Sequence, residues 1–209
     1  MLPVMLNVKD KDVVIFGGGE VAERRVSKLL NADANVKVVS REFTDTLMKI
    51  RSDRLRLVEV EVEEGSISDH LKGADFVLIA TDDSDLNDKI EEGCRNLGIL
   101  VNRADKVSDF VIPATLDLEG ISISISTEGK SPAISKMIKR RIKKLITKED
   151  ILLIELEEFL KARLKQKIKD QKRRKEILRE ITNRPEIVKS LKENDIGKAK
   201  ELVEDYLEE

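Results

Sequence analysis

Residues 12–22 read Asp12-Val13-Val14-Ile15-Phe16-Gly17-Gly18-Gly19-Glu20-Val21-Ala22. Four consecutive apolar residues closed by three glycines describe a strand buried on both faces that runs into a tight turn. Over residues 20–31 the side chains of Val21, Ala22, Val26, Leu29 and Leu30 fall on one helical face, so strand, turn and helix follow without a linker. The glycines stand as G-x-G-x-x-A in that context, which is how a chain commonly holds a dinucleotide. Gly17 permits the turn, Gly19 lets the backbone approach a pyrophosphate, and Ala22 lets helix and strand pack closely. Glu20 and Val21 open the helix at its positive end, where their N–H groups face phosphate. A glycine turn without a ligand is the bland alternative, and the flanking strand and helix weigh against it.

Working outward, residues 36–39, 55–62, 75–80 and 99–101 continue as strands, and residues 44–51, 66–71 and 84–97 as helices. The last helix is opened by the capping cluster Thr81-Asp82-Asp83-Ser84. Alternation of this kind predicts an α/β fold, a parallel sheet wound on both faces. After the second strand, where a carboxylate commonly holds the adenosine ribose, stand Ser40-Arg41-Glu42. Arg41 suits the extra phosphate of NADP and Glu42 suits a ribose hydroxyl, so NAD and NADP both stay open.

Beyond Asn102 the rhythm changes. Residues 110–113 and 120–126 read as short strands, the second alternating Ile121, Ile123 and Ile125 with serines so that one face is apolar. Ser131 as N-cap and Pro132 in the first turn announce a helix over 133–146. From 149 onward the period is helical, with breaks near 183–185 and 194–197. The organisation expected is a dinucleotide-binding domain at 1–112, a small β/α region at 113–147 and a helical domain at 148–209.

The 209 residues are 40% hydrophobic and 38% charged, which fits a globular chain with a heavily ionised surface. No apolar run approaches the ~18 residues that span a bilayer, and the start of the chain lacks the basic region of a signal peptide. A cytoplasmic protein is expected. Aromatic residues are 3% with no Trp, which weakens any nucleic-acid reading. His70 and Cys94 are the sole members of their types, so no Cys/His metal centre and no internal disulfide are expected, and both are assigned to packing or surface. The net charge of −2 conceals an uneven distribution: residues 136–175 hold 16 Lys and Arg against 6 Asp and Glu, between acidic flanks. That basic segment is either a solvated helix face or a surface for an anionic ligand or acidic partner.

Leu2-Pro3-Val4, the Gly17-to-Arg24 turn, Ala80-Thr81-Asp82-Asp83, Asn102-Arg103-Ala104-Asp105, Phe110-Val111-Ile112-Pro113-Ala114 and Ser126-Thr127-Glu128-Gly129-Lys130-Ser131-Pro132 follow one another in this order. Together they resemble the dehydrogenase/ferrochelatase module of siroheme synthase, in its stand-alone form without the methyltransferase. The resemblance implies a Rossmann domain, a dimerisation region and a helical domain in a homodimer. It implies oxidation of precorrin-2 to sirohydrochlorin with NAD and, in some members, insertion of ferrous iron. By the same resemblance Asp105 is the catalytic aspartate, a proton acceptor whose pKa burial would raise. Thr81 and Asn102 join Gly17, Gly19, Glu20, Val21, Arg41 and Glu42 at the cofactor. Ser126, Thr127, Lys130, Ser131 and Lys136 meet the polycarboxylate substrate, with Thr127 standing where some relatives carry a second serine.

Two other readings compete. A nucleotide-sensing regulatory module without catalysis shares the glycine turn and the sheet, but gives no reason for the stretches at 102–105 and 126–132. A basic helical nucleic-acid binder would need a recognition motif, and none is found.

Overall fold

A computed structural model describes residues 1–208 and divides into two compact units, one through Ile112 and one from Pro113 onward. In the first unit β1 (Asp12–Phe16), β2 (Asn35–Ser40), β3 (Leu55–Glu59), β4 (Phe76–Ile79) and β5 (Leu100–Arg103) form one sheet in the order β3-β2-β1-β4-β5. Every neighbouring pair is parallel. Helices α1 (Glu20–Leu30), α2 (Asp45–Lys49), α3 (Ile67–Leu71) and α4 (Ser84–Leu97) connect the strands. Val13, Ile15, Val36 and Val38 bury against Ala22, Val26 and Leu47 on one face. Val14, Phe16, Val39 and Val77 bury against Leu71, Ile90 and Cys94 on the other. Successive side chains of β1 therefore enter opposite cores, and this is why the strand carries no polar residue after Asp12. The expected doubly wound α/β architecture is borne out. Strand order reverses between β1 and β4, and ligands of open α/β sheets bind beyond the carboxyl ends of the strands at such a switch.

At the edge of this sheet two expectations need correcting. Residues 110–113 form no strand. The edge of β5 is met by side chains instead: the Val101 N–H donates to Asp109 (2.9 Å), the Arg103 N–H to Ser108 (2.9 Å), and the Asn102 amide donates to the Phe110 carbonyl (2.7 Å). An irregular segment thus covers an edge that a ladder would otherwise leave open. β5 also runs through Arg103 rather than stopping at 101, so Asn102 and Arg103 are strand residues and Asp105 stands just beyond.

The second unit opens with an antiparallel pair, β6 (Ala114–Leu118) and β7 (Ile121–Ile125). β7 matches the alternating run; β6 was unforeseen. Helix α5 (Pro132–Leu145) starts at Ser131, whose Oγ accepts the Ile134 N–H at 3.3 Å. Four helices follow: α6 (Lys148–Lys167), α7 (Gln171–Thr182), α8 (Pro185–Lys192) and α9 (Ile196–Glu208). Leu152, Leu156, Leu160 and Leu164, one per turn of α6, bury with Ile181, Ile187, Leu191 and Val203. The breaks after α7 and α8 fall where expected. A further break at 168–170 was not expected; there Asp170 caps α7 by accepting the Arg173 N–H at 2.6 Å. Among the described residues no helix is long and apolar enough to cross a membrane.

Candidate active site

The three glycines after β1 are not equivalent. Gly17 has φ +101°, and a Cβ there would lie 2.4 Å from the Ala80 carbonyl oxygen, so only glycine fits between the ends of β1 and β4. A Cβ on Gly18 would lie 2.0 Å from the Glu42 carbonyl oxygen. Gly18 also accepts the Thr44 N–H (3.1 Å), and the Thr44 hydroxyl donates to Glu23 of α1 (2.8 Å), which braces the turn against α2. Around Gly19 a Cβ would meet nothing within 4 Å. Gly19 is also the N-cap of α1, and no side chain caps it, so the first amides of α1 at Glu20 and Val21 are left for an outside acceptor. Gly17 and Gly18 shape the turn, while Gly19 borders open space of the kind a pyrophosphate fills. The residues present fit a dinucleotide.

That space belongs to a cleft of ≈ 730 Å³ lined by the glycines, Arg41, Glu42, Thr44, Thr81 and Asp83 among others. Of the expected cofactor residues, Gly17, Gly19, Arg41, Glu42 and Thr81 line it, and Glu20 and Val21 open the adjoining helix. Arg41 is paired with Glu61 at 3.5 Å. Carboxylates predominate along the wall, where Glu42, Glu61, Glu64, Asp82, Asp83 and Asp85 outnumber Arg41 and Lys89. Lys89 is in turn paired with Glu64 at 2.7 Å. Asn102 does not line the cleft. It is buried, its amide N–H is taken by Phe110, and its Oδ1 lacks a hydrogen-bond partner.

Asp105 stands at the carboxyl edge of the same sheet. Its two oxygens accept Arg103 Nε at 2.9 Å and a terminal Arg103 nitrogen at 2.5 Å, a bidentate pair. The Arg103 side chain is 1% exposed, and its other terminal nitrogen donates to Asp88 and to Glu91 (2.8 Å) of α4. Lys106 joins the same two carboxylates at 3.0 and 2.9 Å. Hydrogen bonds from Arg103 hold the Asp105 carboxyl at about 2, below its ordinary 3.8, despite partial burial that opposes this. The expectation that burial raises the pKa of Asp105 is therefore overturned, because an arginine two residues away outweighs desolvation. Asn87, also buried, links this cluster to the cleft. It helps to lower the Asp105 pKa, accepts the Thr81 hydroxyl at 2.5 Å and donates to the Thr81 carbonyl at 3.2 Å. Neither Asn87 nor the clamp role of Arg103 was anticipated; the one sequence signal was an arginine between the motif's Asn102 and Asp105.

In the second unit, Ser126, Thr127, Lys130 and Ser131 share the turn that opens α5. The Thr127 hydroxyl accepts the Ser131 N–H (3.1 Å) and lies 3.3 Å from the Ser135 hydroxyl. Ser126 accepts the Glu128 N–H, and Glu128 and Gly129 take positive φ to complete the turn. Lys130 is paired with Glu128 at 3.1 Å. Lys136 lies a turn further along α5, exposed. His70 and Cys94 pack as expected: His70 meets the Phe16 ring edge-on, and burial pushes the Cys94 thiol up to about 12.

Comparison with known proteins places this geometry. Residues 4–114 match the family model described as "Putative NAD(P)-binding", and residues 119–145 match "Sirohaem biosynthesis protein central". The precorrin-2 dehydrogenase of Methanosarcina barkeri is 39% identical over 181 residues, which are 85% of this chain and 80% of that protein. The siroheme synthase of Nitrosospira multiformis is 32% identical over 69% of this chain, a match spanning 31% of that longer protein. The solved structure of SirC, precorrin-2 dehydrogenase, aligns with a TM-score of 0.78 and 25% identity over 99% of this chain and 100% of the other. By the identity and coverage of these relatives and the family model over residues 4–114, the chain belongs to the precorrin-2 dehydrogenase family of siroheme biosynthesis.

Proposed function

We propose that this protein oxidises precorrin-2 to sirohydrochlorin with NAD, as a cytoplasmic homodimer. The observation that carries the reading is the open cradle at Gly19, one buried asparagine away from a clamped carboxylate, in a chain akin to precorrin-2 dehydrogenases. NAD, when bound, supplies the acceptor for the hydride that leaves the macrocycle. Gly17, Gly19, Glu20 and Val21 hold its pyrophosphate, and Glu42 takes a ribose hydroxyl. NAD is preferred over NADP because Arg41 already pairs with Glu61, and among the described residues no unpaired cation lines the cleft to receive a 2′-phosphate. An unpaired cleft carboxylate repels that phosphate.

Asp105 is the proposed catalytic carboxylate, in a role set by its ionisation. An acid this strong leaves a poor proton acceptor near neutral pH. Its contribution is electrostatic: it stays charged and stabilises positive charge developing on the macrocycle as the hydride departs, while the accompanying proton passes to solvent. Ser126, Thr127, Lys130, Ser131 and Lys136 are proposed for the substrate's carboxylates. In support, no ion pair ties up Lys136, Lys139, Arg140, Arg141, Lys143 or Lys144 among the described residues, which leaves α5 a cationic helix without internal neutralisation. Residues 113–147 are proposed as the dimerisation region. Ile134, Met137 and Leu145 are exposed on α5, and the two-stranded sheet has open edges, features that a second copy would cover. Unpaired Cys94 accords with a reducing compartment.

The test is to incubate the pure protein with precorrin-2 and either nicotinamide and to follow sirohydrochlorin by absorbance. Turnover with NAD at least tenfold more efficient than with NADP is expected. A tenfold preference for NADP would reverse the cofactor assignment.

A further inference from the structure

We propose that Arg103 is a positioning residue for the dehydrogenation: its buried fork grips both oxygens of Asp105 and fixes that carboxylate at the edge of the sheet. The proposal rests on the reading of Asp105 as catalytic.

The geometry carries it in three ways. Both contacts from Arg103 to Asp105 are short and involve different oxygens, so the carboxyl plane cannot turn without breaking one of them. Arg103 is itself immobilised, because it extends from β5, is 1% exposed, and spends its remaining terminal nitrogen on Asp88 and Glu91 of α4. Asp105, in contrast, keeps 38% of its side chain exposed, so the gripped carboxylate still faces solvent on one side.

Asp88, Glu91 and Asp105 face Arg103 and Lys106, and Glu91 also meets Arg95 of α4 at 3.7 Å, so three carboxylates stand against three cations. The positive charge of Arg103 is shared among three carboxylates, so it is not spent on Asp105 alone. An ion pair built only for stability would not need to leave one member exposed at the end of a strand. Arg103 thus does for Asp105 what a second hydrogen-bonding partner does for any reacting group: it sets direction and charge without touching substrate.

The experiment combines a titration of the protein alone with kinetics. In wild type, the Asp105 carboxyl signal followed by ¹³C NMR is expected to stay ionised down to about pH 3, consistent with about 2. Arg103→Lys keeps a buried cation but removes the fork; it should move this titration upward and bring an acid limb into the pH profile of kcat. The kcat should fall roughly tenfold or more, in line with the cost of a misplaced group, with KM changed less than about twofold. Arg103→Met should shift both further, and Asp105→Asn should abolish the limb together with turnover. Wild-type titration near 4 overturns the proposal even if every Arg103 variant fails to fold. An unmoved titration and profile in a folded Arg103→Lys, with Asp105→Asn inactive, overturns the role of Arg103 and leaves that of Asp105 standing. Full turnover by Asp105→Asn overturns both.

Discussion

Asp105 illustrates how a neighbour decides what a residue can do. The same aspartate on an exposed loop would titrate near 3.8; held by Arg103, it titrates at about 2 and stays ionised further into acid. Replacing it with alanine should lower turnover by roughly 10²–10³ while NAD binding, measured by calorimetry, stays within about twofold, because the glycine turn is untouched. The depressed pKa also has a stability consequence. The ionised form favours the folded state above the unfolded-state value near 3.8, and that contribution is lost as pH falls from there toward about 2. Wild type should therefore exceed Asp105→Asn in denaturant stability near neutral pH, and the gap should close across that acidic window. A gap that widens with acid would show the sign to be wrong. Cys94 gives a simpler check. With its thiol buried and pushed up to about 12, it should resist iodoacetamide in the native protein and react once the chain is unfolded.

At the scale of the element, the glycine turn separates shape from binding. Gly18→Ala would drive a Cβ into the Glu42 carbonyl, and Gly17→Ala combines a similar clash with a positive φ. Each should destabilise the first unit by about 2–4 kcal/mol or prevent its folding. Gly19→Ala has room and should fold with near-normal melting, yet lose NAD affinity by roughly tenfold or more as the methyl enters the cradle. Equal destabilisation by Gly19→Ala and Gly18→Ala would contradict this division. The strand, the turn and α1 were legible because a buried strand and three glycines admit few alternatives. α4 was legible together with the capping cluster at 81–84, within which Asp83 is the cap, since capping residues and apolar period agreed. Residues 110–113 were misread because an apolar run looks like a strand, whereas Ser108 and Asp109 supply side-chain acceptors that replace a ladder. β6 was missed because Thr115 and Asp117 between its apolar residues look like a loop until Ile121, Ile123 and Ile125 stand opposite. The residues of the cradle could be read from spacing. The Arg103–Asp105 clamp could not, since nothing in sequence tells whether two charges two residues apart turn toward each other.

For the whole molecule, the cleft at the sheet is the proposed nicotinamide site, while α5 carries cationic charge suited to a polycarboxylate. Sedimentation at micromolar concentration should give a dimer, and charged substitutions at Ile134 and Met137 should shift it toward monomer without unfolding either unit; a monomeric wild type would remove the proposed dimerisation region. KM for precorrin-2 should rise steeply with salt, because attraction between exposed charges weakens as the screening length shortens. The central claim, an oxidation by this chain that depends on both cradle and clamped carboxylate, is tested most directly by one set of single-turnover traces. Purified wild type, Gly19→Ala and Asp105→Ala are each mixed with precorrin-2 and NAD at concentrations rising to saturation of the wild type and beyond, and NADH and sirohydrochlorin are recorded together. Wild type should form the two products in equal amounts, Gly19→Ala should recover as NAD is raised, and Asp105→Ala should stay slow at every NAD concentration. Absence of NADH from wild type with bound NAD and substrate, or wild-type rates in Asp105→Ala, would contradict it.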